Sequence, residues 1–346
     1  MTTHSDSQPS SARATLTLDH AAELAIVERS GFIESRHAGV AVVVDPDGAE
    51  VVSLGDPTAP VLTRSCLKPL QAIAVLETGV ALNGPELVLA SASHRAESRH
   101  IDVVERMLRE AGLTATDLQC PSVLPADPTN RRRVGDNPSP VFFNCSGKHA
   151  AFLAAQVHAG EPTDAYLDPD SFIQQRVRET VTEYCGEAPA FTGIDGCGAP
   201  VHAVSLTALA RGVSHVTAGR TLPGKKLVQA VLDNPWAIQG QGKANTVAIE
   251  QLGVFAKFGA EGVLVMGTRE GYCVAVKALD GSGRATTFVA LELLAHIGAL
   301  DAREVLKVLP HVTPAITGGT NPDGTTRTVG SISAGADLYA VLQGHA

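Results

Sequence analysis

The chain has 346 residues, with 27 basic and 36 acidic side chains and a net charge of −9. An acidic balance with only 4% aromatic residues argues against a nucleic-acid partner, which needs basic stripes and stacking rings. A hydrophobic share of 44% is that of a folded globule. No apolar run reaches the length of a membrane span, about 18 residues. The six cysteines (66, 120, 145, 185, 197, 273) are too scattered for a disulfide framework.

Residues 1–14 are rich in Ser, Thr and Pro and read as a solvated tail. They lack a basic start followed by an apolar core, so no secretory leader is expected and a cytoplasmic location is the default. From there, Leu24–Arg29, Phe32–Ser35 and Gly39–Val44 carry the β-branched texture of strands. Asp45-Pro46-Asp47-Gly48 is turn chemistry, and Ala49–Leu54 returns as another strand. A helical texture begins near Cys66. Ile101–Ala111 has apolar residues at 101, 104, 107 and 108, and 150–157, 172–184, 202–210, 225–237 and 245–252 are similar. Strands resume at 254–258, 262–267 and 272–279, and two helices follow over 286–297 and 301–308.

Strands, then a long helical block, then strands again predict a mixed α/β fold. A largely antiparallel sheet is expected from the N- and C-terminal segments, with the helical block inserted beside it. After the tail, 15–346 reads as one unit. Its parts are 15–63 plus 254–346, containing the sheet, and 64–253, mainly helical. A cleft is expected where the two meet.

Arg64-Ser65-Cys66-Leu67-Lys68-Pro69 falls at that junction. Pro69 belongs in a first helical turn, which puts Ser65 near the N-cap and Lys68 one turn along on the same side. In this S-x-x-K arrangement an amine can take a serine proton, once burial or a second cation lowers the lysine's pKa. A capping serine beside a solvated lysine accounts for the same letters. Lys257, on an apolar strand, is a candidate second lysine, or an edge-strand guard against aggregation. Ser93, in Ser91-Ala92-Ser93-His94, is either a second cleft hydroxyl or the cap of the next helix.

Asn144-Cys145-Ser146-Gly147-Lys148-His149 precedes an apolar helix and suits an anion or substrate cradle, and Cys145 with Lys148 invites a metal reading. Asp195 lies in the glycine-rich Thr192–Pro200, either a ligand-approaching loop or a tight surface turn. Neither G-x-G-x-x-G after a strand nor G-x-x-x-x-G-K-[ST] is present, nor is G-x-S-x-G or H-E-x-x-H. Acyl transfer is the chemistry left.

In order along the chain, Glu34-Ser35-Arg36-His37-Ala38-Gly39, Arg64-Ser65-Cys66-Leu67-Lys68-Pro69, Ala92-Ser93-His94, Cys145-Ser146-Gly147-Lys148-His149, Asp195-Gly196-Cys197-Gly198 and Ala256-Lys257-Phe258-Gly259-Ala260-Glu261-Gly262 resemble the L-asparaginase II family, the rhizobial-type or class 3 asparaginases. The resemblance covers about residues 20–340. It implies a fold related to serine β-lactamases, penicillin-binding proteins and glutaminases, a homodimer, and hydrolysis of L-asparagine to L-aspartate and ammonia. Carried onto this chain, it implies that Ser65 pairs with Lys68 and Ser93 with Lys257, and that Arg64, His149, Asp195 and Gly196 surround the substrate. Another amide (glutamine, a β-lactam or a small amide) is the alternative substrate, and a non-catalytic amino-acid-binding protein the alternative class. The resemblance also implies a zinc site that uses Cys145, Lys148 and a cysteine upstream of Ala256. Asn245 stands where that cysteine is sought, so no cofactor is expected to be required and zinc binding is expected to be weak or absent.

Overall fold

The computed structural model describes residues 15–344; the tail expected over 1–14 lies outside the described residues. Strands β1 (Ala22–Arg29) and β2 (Phe32–Val44) form a hairpin, and β3 (Glu50–Leu54) and β4 (Pro60–Leu62) follow. In the turn before β3, the Asp45 carboxylate accepts the N–H groups of Asp47 and Ala49. β2 is one long strand where the sequence suggests two. Its polar middle stays in the ladder because Arg36, His37 and Ala38 pair with Ile26, Ala25 and Glu23 of β1.

The helical block opens with α1 (Lys68–Glu77), α2 (Pro85–Ser91), α3 (Ser98–Glu110), α4 (Pro128–Val134), α5 (Ser146–Ala159) and α6 (Phe172–Cys185). Two strands interrupt it, β5 (Phe191–Ile194) and β6 (Pro200–Ser205), before α7 (Leu206–Thr217), α8 (Leu222–Asp233) and α9 (Ala244–Leu252). The helix expected over 202–210 therefore starts only at Leu206. His202 and its neighbours pair with β4 and β5, and the Ser205 hydroxyl caps α7 by accepting the Ala208 N–H. The helix expected over 225–237 stops at Asp233, two residues ahead of Pro235, which cannot continue the ladder.

Strands β7 (Phe255–Phe258), β8 (Val263–Gly267) and β9 (Cys273–Ala278) lead to α10 (Thr286–His296) and α11 (Ala302–Val312). A hairpin of β10 (Ile316–Thr320) and β11 (Thr326–Ala334) and a last helix α12 (Ala336–Leu342) complete the described chain. The sequence reading finds no strand there, since Ile316-Thr317-Gly318-Gly319-Thr320 has neither alternation nor an apolar run.

The main sheet runs β10-β11-β1-β2-β9-β8-β7, with β3 also on β2, and the pairs are antiparallel. It is thus built from the two ends of the chain, with the helical block between them. Val40–Val44 are five consecutive buried residues, and β8 and β9 are buried along their whole length. Such runs mark strands covered on both faces, and α7 and α10 both pack on β2, β8 and β9. The small sheet β4-β6-β5 lies beside the turn that carries Ser65. No helix among the described residues is long and apolar enough to cross a membrane.

Candidate active site

Ser65 sits in a 3-10 turn, Arg64–Leu67, that runs straight into α1. The turn is fixed from two sides. Thr63 donates its N–H and hydroxyl to the His202 carbonyl of β6, and the Cys66 thiol donates to the Lys257 carbonyl of β7 at 3.2 Å. Burial pushes that thiol's pKa up to about 12, so it stays a donor. Arg64 takes a left-handed conformation (φ 48°), uncommon for a non-glycine residue. The Ser65 N–H precedes the first hydrogen bond of the turn and has no partner among the described residues. Gly259 closes over it: a Cβ there would come within 3.2 Å of the Ser65 nitrogen and 3.3 Å of the Cys66 sulfur.

Lys68 opens α1 with its side chain buried inside the protein. Its ammonium nitrogen lies on the Ala92 carbonyl and 3.0 Å from the Ser93 hydroxyl. Lys257 comes from β7 on the other side. Its nitrogen is 2.9 Å from the same hydroxyl and 2.7 Å from the Phe258 carbonyl. The two lysines therefore converge on Ser93, whereas the resemblance divides them between Ser65 and Ser93. The Ser65 hydroxyl has no hydrogen-bond partner among the described residues. Burial, and next the positive charge of Lys68, push the Lys257 pKa down to about 7.

Ser93 follows α2 and is held by neighbours rather than by helix geometry. Its N–H donates to the Ile238 carbonyl. His94 accepts the Ala96 N–H at Nδ1, so Nε2 carries the proton and donates to the Ser146 hydroxyl at 2.9 Å. Ser146 in turn donates to the Val141 carbonyl. The other serines nearby are otherwise engaged: Ser91 donates to Val88 and Ser98 to Asn130.

The start of α5 brings up Cys145, Lys148 and His149, all buried. The thiol beside them is Cys197, whose sulfur is 3.2 Å from the Lys148 nitrogen. Its hydrogen bond to Cys145 holds the Cys145 thiol well below its ordinary value, with Lys68 and Lys148 adding to the effect, while Cys197 is pushed up. Burial alone would lower the Lys148 pKa, but the two sulfurs outweigh it and raise it. The position assigned to Asn245 is thus corrected. Asn245 lies on α9, where its N–H donates to Gln239, and the second cysteine comes from the Asp195-Gly196-Cys197-Gly198 loop. Among the described residues no third His, Cys, Asp or Glu joins this pair.

Asp195 takes the Gly196 N–H at 2.9 Å and pairs with Arg64 Nε at 2.8 Å. Burial would raise its pKa, but Lys148, the Gly196 N–H and Arg64 outweigh that and lower it. His149 Nδ1 lies 2.7 Å from the Tyr166 hydroxyl, and its Nε2 is buried without a partner. Burial, followed by the charges of Lys148 and Lys68, holds its pKa well below the usual value and keeps the ring neutral. Cys66, Gly259 and Tyr166 are parts of this site that sequence reasoning did not single out. Gly259 stands in a quoted motif, and Tyr166 lies in a segment with no motif at all.

Fold and site together define a mixed α/β protein with one serine hydroxyl buried between two lysines. The chain belongs to the L-asparaginase II family, whose sequence model matches residues 25–332. No curated protein matches it. Among solved structures it is similar to the protein called Mglu in its glutamate form (13% identity, TM-score 0.43), covering 75% of this chain and 60% of that one, so it spans about three fifths of Mglu's length. It is similar also to a Bacillus glutaminase (13% identity, 76% of this chain, 92% of that chain, TM-score 0.43). A β-lactamase from Mycobacterium bovis matches at 16% identity, over 74% of this chain and 94% of that chain, with a TM-score of 0.38.

Proposed function

We propose that this protein is an L-asparagine amidohydrolase that works through a seryl ester. The observation that carries the reading is the Ser93 hydroxyl held between Lys68 and Lys257, with Lys68 one turn beyond Ser65, in a chain of the L-asparaginase II family. Ser65 attacks the side-chain amide carbon as its proton passes to Lys68, one turn further on, which at the same time releases its own proton through the Ser93 hydroxyl to neutral Lys257. Apo hydrogen bonds of this kind are often open and close only around substrate. Ser93 passes the proton between Lys68 and Lys257, whose neutral form is available near pH 7. The free Ser65 N–H receives the negative oxygen that develops on the substrate. The relay returns the proton to the amide nitrogen, which leaves as ammonia, and water then cleaves the aspartyl ester through the same relay.

Arg64 gives its Nε to Asp195 and has Glu261 3.9 Å from one terminal nitrogen, so the other terminal nitrogen remains for the substrate α-carboxylate. The Asp195 carboxylate, with Gly196 fixing one oxygen, suits the α-ammonium. The convergence of both lysines on Ser93 supports a second reading, in which Ser93 is the nucleophile. Ammonia release from L-asparagine, with intact-mass detection of the ester, tests both. Ser65→Ala is expected to lose at least about 10³-fold in kcat and to form no ester. An ester that persists in Ser65→Ala and vanishes in Ser93→Ala would transfer the role to Ser93. No ammonia from wild type would reject asparagine as substrate.

A zinc ion fits the thiols of Cys145 and Cys197 and, once deprotonated, the amine of Lys148; bound there, it would supply positive charge next to the substrate site. Both cysteines would bind it as thiolates, and the chemistry above is carried by the serines and lysines. Zinc is expected to raise Tm in wild type and in Asn245→Ala but not in Cys197→Ser, as a thermal-shift titration would read.

A further inference from the structure

The unpartnered Nε2 of His149 has a specific cause two groups away. Tyr166 is fully buried between α5 and α6, and its hydroxyl oxygen is 2.9 Å from the Gln119 backbone nitrogen and 2.7 Å from His149 Nδ1. A backbone N–H can only donate, so the phenol accepts from Gln119. Gln119 cannot accept in return, so among the described residues His149 Nδ1 is the acceptor available to the phenol's own proton. The remaining ring proton must sit on Nε2, where it is buried and meets no acceptor among the described residues. Buried N–H groups seldom stay unpaired. Tyr166 is itself fixed, because its carbonyl takes the Gln174 side-chain amide and Gln119 is tied back through its own side chain to Asp164.

We propose that Tyr166 is a positioning residue that locks His149 as the Nε2–H tautomer, so that the site offers a donor, and not an acceptor, to an oxygen of the bound substrate. The substrate class rests on the asparagine reading above; the lock itself does not. A ring free to choose either tautomer would present a lone pair part of the time and repel a carboxylate or an amide oxygen. In this arrangement Gln119, Tyr166 and His149 form a chain with one direction of donation, starting from a peptide N–H that cannot reverse.

The test is 15N NMR of the full chain labelled at histidine, with His149→Gln used to assign the His149 signals. Wild type is expected to show protonated Nε2 and bare Nδ1, and Tyr166→Phe a mixture of both tautomers. In parallel, Tyr166→Phe is expected to raise KM for L-asparagine about tenfold, the worth of one hydrogen bond, with kcat changed less than threefold. A wild-type His149 protonated at Nδ1 overturns the proposal, and so does a Tyr166→Phe protein that keeps the tautomer and the KM. The wild-type spectrum decides the lock even if Tyr166→Phe does not fold. A chain without asparagine turnover would reject the substrate while the tautomer still stood or fell on its own.

Discussion

Lys257 shows how much of the site's chemistry resides in single residues. An ammonium buried on a strand is costly, and here a second ammonium sits across one hydroxyl, so the proton is held weakly and the pKa falls to about 7. If the neutral amine is the base, kcat/KM rises with pH up to about 7 and levels off above it. A flat profile between about pH 5.5 and 8.5 would contradict this assignment. Gly259 is the second residue with a sharp expectation. A methyl group there must displace the Ser65 nitrogen or the Cys66 sulfur, neither of which lies at the end of a flexible chain. Gly259→Ala is therefore expected to reduce kcat by at least about tenfold, for a shift of a few tenths of an ångström at the reacting centre, while the melting curve stays cooperative. The letters Ser65, Lys68 and Lys257 were legible as chemistry. The family resemblance also grouped them with Ser93, but that both lysines meet on that one hydroxyl was not legible, because S-x-x-K describes a turn and says nothing of contacts to another strand.

At the scale of elements, β7 carries both packing and charge. The folded value for Lys257, about 7, lies below the unfolded value of about 10.4. The unfolded chain therefore binds more protons between those limits, and this residue makes stability rise with pH across that window. Lys257→Met removes the effect, so its Tm relative to wild type is expected to be higher at pH 6 than at pH 9, measured by calorimetry. Helix α1 is anchored by Leu70, fully buried two residues after Lys68. Leu70→Ala is expected to cost about 2–5 kcal/mol in denaturant unfolding. β2, β8 and β9 could be read from β-branched runs. β6 could not, because Pro200-Val201-His202-Ala203-Val204-Ser205 suits a helical stripe as well as a strand, and one of its two partners, β4, lies far off in the sequence.

At the scale of the whole molecule, the main sheet is closed by pairing its two chain ends. β1 pairs with β11 through Ala25–Ala334 and Arg29–Gly330. Gly330 is needed because a Cβ there would overlap the Glu28 carbonyl at 1.8 Å. Gly330→Val is expected to separate the C-terminal hairpin from β1, seen as faster amide exchange in β1 and β11 and a lower Tm, with α1–α9 affected least. The same closure explains why the site lies where it does. The turn bearing Ser65 leaves the first strands, β7 returns Lys257 after the helical block, and the block itself supplies Ser93, Cys145 and Asp195.

Composition, the β-branched runs and the ordered motifs settled by themselves that this is an acidic mixed α/β chain of one recognisable family, because periodicity and turn chemistry act over a few residues. Which serine the lysines hold, that Cys197 and not Asn245 lies beside Cys145, and that Tyr166 faces His149 depended on the tertiary structure. Those contacts join residues on different elements, many of them far apart in sequence. Their geometry is set by how helices and sheet pack, and no local pattern of letters records it.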